Sequence, residues 1–441
     1  MWLTVVDNNI TDGADGIESS ISRTGYDRRT FLKTATAGAG LASIAGCLGG
    51  GSGGSGSVTL GAMNILSGFA SLYGEEAERG YDLAVEEINN NGGIDGNDVE
   101  VIVRDTEADS GTATQQMTSL IEEDGVDGLM GLDSSGVAQN IAPQIKQSQM
   151  PLMITHAATP YVTSPEGESE DSVGNDYVFR CSNTVAHDMY GAAQVASELD
   201  ATDWATIGPD YAFGYDTWAY FQAFAEGMGV DANFTTEQYP PLATSDYSAY
   251  ISSILDADPD AVITPLWGSD LTTFLGQAED SGWFEQIDHT LFSVGMGTDL
   301  PSDGSPLPEG EWASTRYDPF VPDTEENNTF LEAYMEEYDT LPTYNAEGAY
   351  RAVYLYKKAI EEGGSTNAGD LVDQFSGMQH TGPVGEYEFT ETNQASVASI
   401  WGEVTYSDEY ESNVLEPVER YEAAPADVRG ALEGSDLPPG L

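Results

Sequence analysis

Histidines, cysteines, serines and paired carboxylates carry most protein chemistry, and in this chain of 441 residues their spacing argues against catalysis. His156, His187, His289 and His380 form no HExxH or other metal spacing, and no G-x-S-x-G nucleophile elbow occurs. Gly295-Met296-Gly297 lacks the third glycine and the helix start that a dinucleotide loop needs, so no cofactor is expected. Cys181 falls in a strand-like run, residues 177–181, which points to a buried, inert thiol. The adjacent pairs Glu86-Glu87 and Glu336-Glu337 lie on helical stretches, where one of each pair faces water. What remains is a loop of the kind that binds: Ser67, Gly68 and Tyr73 sit where an apolar strand hands over to a helix. Parallel α/β sheets bind small ligands at that carboxyl edge.

The elements that must position this loop follow from hydrophobic spacing. Residues 58–63 predict a strand, and Ala77, Tyr81, Ala84, Val85 and Ile88 recur on one face of the following helix. Asn91, Gly92 and Gly93 stop that helix, and residues 99–103 predict a second strand, parallel to the first. The alternation continues. Ala113, Met117, Leu120 and Ile121 share one face of a helix over 111–123, and 128–132 and 152–155 read as buried strands. It restarts with a strand at 205–207, a helix at 217–228, a strand at 261–265, a helix at 271–280 and a strand at 291–294. A chain this long exceeds one ordinary core and predicts two domains.

Taken in order, these blocks resemble the Leu/Ile/Val-binding family of type I periplasmic binding proteins, the solute receptors of ABC importers. The resemblance rests on the opening stretch 58–105, EDGVDGLMGLDSSGVA at 123–138, PLMITHAATP at 151–160, DYVFRCS at 176–182 and AFGYDTWAYFQAF at 212–224. YSAYISSILDADPDAVI at 247–263 and TGPVGEYEF at 381–389 extend it, so that it runs with interruptions to about residue 419. It implies an α/β fold of two doubly wound, Rossmann-like lobes joined by a three-strand hinge, with crossings near Thr184, Arg316 and Thr392. Lobe one is then 58–184 with 316–392, lobe two 185–315 with 393–420, and 421–441 a tail read as a surface extension.

The resemblance also implies a site. In the family a serine after the third strand and an Ala-Ala-Thr-type run after the fourth hold the solute's carboxylate, and here Ser135, Ala157, Ala158 and Thr159 fall on those positions. Hydroxyls and free N–H groups at helix amino ends suit an anion, although Ser135 and Thr159 would serve equally as helix caps. The aromatic walls correspond to Tyr73, Phe213 and Trp267, and His156 adds a polar group beside the Ala-Ala-Thr run. Leucine-type receptors set a lobe-two carboxylate against the solute's ammonium. Gly295 stands at that position here and Asp299 follows four residues later, which opens the way to amides, urea-like compounds or carboxylic acids.

Charge and leader place the protein. Asp and Glu number 75 against 14 Lys and Arg, a formal net charge of -61. Such self-repulsion disfavours a compact chain at low salt, whereas at roughly 1 M salt the screening length is about 3 Å. The acids are spread along the whole chain, as on a halophile's solvated surface, and their sign excludes nucleic acid as a partner. Arg28-Arg29 heads a twin-arginine run followed by a short apolar stretch, 35–45, and Ile44-Ala45-Gly46-Cys47 resembles a lipobox. The expected leader is 1–46, with Cys47 lipidated and 47–57 a Gly/Ser tether. Together these features predict a lipid-anchored solute-binding protein on the extracellular face of the membrane. It would deliver a small amino-acid-related carboxylate or amide to ABC permease and ATPase subunits. A sensory receptor ectodomain of the same fold is the alternative.

Overall fold

The structure is a computed structural model that describes residues 57–293 and 307–440. β1 (Val58–Asn64), α1 (Ser71–Asn90), β2 (Val99–Asp105), α2 (Ser110–Ser119), β3 (Gly128–Gly131), α3 (Ser135–Ser148), β4 (Leu152–Ile154) and β5 (Val178–Arg180) follow one another. The strands form an all-parallel sheet in the order β2-β1-β3-β4-β5. Successive residues of a strand face opposite sides, and both sides are covered. Met130 and Met153 pack with Tyr81 and Ala84 of α1, whereas Leu129 and Leu152 pack with Met117 of α2 and Ile141 of α3. Helical spacing therefore exposed the correct face of α1.

The winding then repeats. α4 (Val185–Ala196), β6 (Asp203–Ile207), α5 (Ala212–Met228), β7 (Asn233–Gln238), α6 (Ser248–Leu255), β8 (Ala261–Thr264), α7 (Gly268–Asp280), α8 (Trp283–Gln286), β9 (His289–Phe292) and β10 (Trp312–Thr315) build a second lobe. Its parallel strands run β7-β6-β8-β9-β10, the same order as β2-β1-β3-β4-β5. The chain then returns to the first sheet as α9 (Glu325–Tyr338), α10 (Tyr344–Gly363) and α11 (Ala368–Phe375), with α10 packed along α1. A hairpin of β11 (Gln379–Gly382) and β12 (Gly385–Glu388) follows. β13 (Ser399–Ser407) and β14 (Ser412–Tyr421) finally add to the second sheet, antiparallel beside β10.

The chain thus passes between the sheets three times: after β5, after β10 and after β12. Two of the connecting segments are bonded side by side. Arg180 N–H donates to the Asn393 carbonyl at 3.0 Å, Ala395 N–H to the Arg180 carbonyl at 2.9 Å, and Asn183 Nδ2 to the Ala398 carbonyl at 2.8 Å.

The segment after Tyr421 is not a loose surface extension. α12 (Pro425–Ala431) packs on α4 and α5 with Val428 and Leu432 buried. Gly227 of α5 admits the approach, because a Cβ there would meet the Ala431 carbonyl oxygen at 1.9 Å. Beyond α12, Tyr220 Oη donates to the Pro438 carbonyl and Thr163 Oγ1 to the Gly440 carbonyl, so the segment touches both lobes. Its apolar residues are too few, among prolines and acids, to form a recognisable stripe.

Candidate functional site

The carboxyl ends of the two sheets face each other across a narrow cleft. Its lobe-one wall is made by Tyr73 at the start of α1, Asp133 and Ser135 after β3, His156 and Ala158 after β4, and Tyr344 opening α10. Tyr211 and Phe213 after β6 and Trp267 after β8 form the lobe-two wall, and Arg316 lies between the lobes where the chain leaves β10. Short apolar strands end at these points and hand over to helices, so the handover residues from both sheets gather in one place.

The walls are aromatic. Tyr73 and His156 stack with centroids 5.0 Å apart, and Tyr344 meets His156 edge-on at 5.0 Å. Trp267 reaches across from lobe two and packs edge-on against Phe69 at 4.8 Å and Tyr73 at 5.2 Å. The next residue, Gly268, has φ +58, and a Cβ on it would meet the Phe69 carbonyl oxygen at 2.9 Å. Glycine is therefore what allows α7 to close onto the loop after β1.

Polar groups are few and fixed. Asp133 accepts from Ile65 N–H at 2.7 Å and Asn64 Nδ2 at 3.2 Å. His156 Nδ1 lies 3.3 Å from Asp133 Oδ1 and 2.9 Å from Asn345 Nδ2. Burial first, and then Arg316, hold His156 below the usual histidine range against the opposing pull of Asp133. Ser135 is the first residue of α3 and follows the N-cap, Ser134. Its Oγ accepts from Thr159 N–H at 3.2 Å, leaving its own O–H to donate. Arg316 Nη1 donates to the His156 carbonyl at 2.7 Å and Nη2 to Asp188 Oδ2 of α4 at 2.9 Å. Arg316 Nε and Tyr73 Oη are buried without a protein partner.

Of the residues singled out in the sequence, Tyr73, Ser135, His156, Ala158, Phe213 and Trp267 are brought together around the cleft. Ala157 and Thr159 are not. The Ala157 N–H is bonded to the Leu132 carbonyl at 2.8 Å, and the Thr159 hydroxyl donates to Asp216 Oδ2 of α5 at 3.0 Å, so both stand behind the wall. Cys47, Gly295 and Asp299 lie outside the described residues. Sequence spacing missed Asp133, Tyr211, Arg316 and Tyr344 as lining residues. Asp133 neighbours Ser135 and could have been included, whereas nothing local marks Arg316 or Tyr344 as facing a cleft.

Cys181 is buried, and burial pushes its thiol up to about 11. Among the described residues no cluster of three or more His, Cys, Asp or Glu could hold a metal ion. No described helix is long and apolar enough to cross a membrane. The groups present can enclose, orient and hydrogen-bond a small molecule.

Comparison with known proteins agrees. A family model described as periplasmic binding protein matches residues 57–406. A Leu/Ile/Val-binding protein homolog 6 of Brucella suis biovar 1 is 28% identical over 341 residues, covering 74% of this chain and 82% of its own. Among solved structures, a solute-binding protein of an ABC transporter from R. palustris, in complex with 4-hydroxybenzoate, superposes with a TM-score of 0.72 at 24% identity. That alignment covers 83% of this chain and 97% of the other. A branched-chain amino acid transporter substrate-binding protein from Streptococcus pneumoniae, in complex with isoleucine, gives 0.71 at 19% identity, covering 83% and 100%. These two likenesses establish the shared two-lobed fold, and the homologues are solute-binding proteins rather than enzymes.

Proposed function

The chain belongs to the periplasmic binding protein family, whose members bind solutes for ABC transporters, and from that premise we propose that its solute is a small carboxylic acid, amide or urea-like compound without a free α-ammonium. The observation that carries this reading is the make-up of the cleft. Its described walls set three donors around the space, the Ser135 hydroxyl, the Tyr73 hydroxyl and Arg316 Nε–H, with Asp133 as the lining carboxylate. The family resemblance puts Gly295 where leucine-type receptors set a carboxylate against the solute's ammonium, and an ammonium buried without that partner costs several kcal/mol. A carboxylate or carbonyl oxygen instead meets the Ser135 hydroxyl and the amino end of α3. The 4-hydroxybenzoate of the R. palustris protein is an acid of this kind. A thermal-shift screen of acids, amides and amino acids at molar salt tests the reading; stabilisation by leucine alone would overturn it.

The working cycle is hinge closure. Lobe one, 58–184 with 316–392, and lobe two, 185–315 with 393–420, both touch the solute, so binding favours the closed state by its differential affinity. The permease reads that state. Delivery is preferred to signalling because the curated relatives are Leu/Ile/Val-binding protein homologs.

The protein is exported by the twin-arginine route and held by lipid on Cys47, with its acidic surface adapted to high salt; the supports are Arg28-Arg29, the box ending at Cys47 and the charge of -61. Cys47→Ser should release the protein from washed membranes into the medium; full retention would overturn the anchor.

A further inference from the structure

We propose that Arg316 sets the charge selectivity of the cleft: its guanidinium is the cation against which an anionic oxygen of the solute is held as the lobes close. This rests on the solute class proposed above and deepens it. Arg316 leaves β10 at the second crossing, and its side chain is 3% exposed. One end of the guanidinium is bonded to lobe one through the His156 carbonyl, the other to lobe two through Asp188. Nε–H is buried with no partner, as is the Tyr73 hydroxyl on the same cleft. Buried polar groups in native proteins are nearly always paired, so unpaired ones in a binding cleft mark where ligand atoms come. Both can donate, and Ser135 has an O–H to spare. The lining carboxylate, Asp133, accepts from Ile65 N–H and Asn64 Nδ2, and neither donor is Arg316. The cleft therefore asks its ligand for acceptor oxygens.

The charge balance points the same way. Arg180, fully buried at the first crossing, donates only to neutral acceptors: the Thr159 carbonyl at 2.7 Å, Gln394 Oε1 at 3.2 Å and Thr163 Oγ1 at 3.4 Å. At the hinge, Arg316 is paired with Asp188 while Arg180 has only neutral partners, and Asp133 stands on the lobe-one wall. His187 adds no charge, because burial and both arginines push it down to about 3. In a chain of net charge -61 these groups balance locally to about zero, two arginines against Asp188 and Asp133. An anionic oxygen would pair the open Nε–H of Arg316 in a charge-assisted hydrogen bond of the kind guanidinium groups favour. Since Arg316 is bonded to both lobes, an anion placed on it belongs to the closed arrangement and stabilises that arrangement preferentially.

The test uses matched acid and amide probes, benzoate with benzamide and propionate with propionamide, titrated calorimetrically at molar salt. The wild type should prefer the acid of the tighter pair by about tenfold or more, the ratio that one charge-assisted contact supports. Arg316→Gln should abolish that preference, weakening the acid at least about tenfold more than its amide. Arg316→Lys, which keeps the charge but loses the fork, should retain part of the preference. Because Arg316→Gln strands Asp188, the double variant Arg316→Gln, Asp188→Asn keeps the hinge balanced and should show the same loss of preference. Equal weakening of acid and amide in both variants would show that Arg316 is only structural and overturn the proposal. A wild type that binds leucine and neither probe pair would instead overturn the solute class beneath it.

Discussion

The Thr159 hydroxyl donates to the Asp216 carboxylate at 3.0 Å, joining the loop after β4 to α5 and hence one lobe to the other. The family resemblance assigns Thr159 to the solute. Here it instead joins the lobes directly behind the cleft wall.

That bond predicts a pH dependence. Burial, with a smaller contribution from Asp171, pushes Asp216 up to about 7 against the lowering effect of Thr159. A carboxyl whose folded pKa is raised above its unfolded value of about 3.9 contributes stability that is full at low pH and lost as pH rises through 7. Glu311, also about 7, and Asp318, about 6, act in the same direction. The melting temperature at molar salt should therefore fall between pH 5 and pH 8, and Asp216→Asn should make that fall shallower. Superimposable pH profiles for variant and wild type would contradict the assignment.

Closure itself depends on Gly268. An L side chain at φ +58 costs roughly 1–2 kcal/mol, and its Cβ would press on the Phe69 carbonyl in lobe one. Gly268→Ala should weaken solute binding by about 5- to 30-fold and hardly change the spectrum of the unliganded fold. Unchanged affinity would mean that the approach of α7 to Phe69 is not part of the bound state.

The carboxyl-terminal segment should be a structural element. Leu432 is 5% exposed against α4 and α5, and Leu432→Ala should cost about 2–4 kcal/mol, as buried leucine truncations do. Gly227→Ala, placing a Cβ against the Ala431 carbonyl, should undock α12 and expose new protease sites near residue 425. Wild-type melting and digestion patterns for both variants would return the segment to the status of a surface tail.

The fold was legible where one physical rule acted locally. Short apolar runs such as those at 128–131 and 152–154 had to be buried parallel strands, and the face carrying Ala77, Tyr81, Ala84 and Ile88 had to be the packed side of α1. β7 was not legible, because Asn233–Gln238 is an exposed edge strand without an apolar run. The site was legible only where the resemblance aligned single loops, as at Ser135 and Trp267. Arg316 and Tyr344 enter the cleft through the hinge and a returning helix, more than 150 residues beyond His156, which both of them contact. Thr159 and Ala157 stood at matching positions, but their hydrogen bonds are spent within the protein.

The central claim, a solute without an α-ammonium, is tested most directly by one calorimetric comparison at molar salt. Leucine and 4-methylpentanoate share the side chain and carboxylate and differ only in the ammonium. The acid should bind at least about tenfold more tightly, since Gly295 stands where leucine-type receptors hold the ammonium with a carboxylate. Submicromolar leucine binding, stronger than that of the acid and abolished by Asp299→Asn, would contradict the account and identify Asp299 as the missing carboxylate of a branched-chain amino acid receptor.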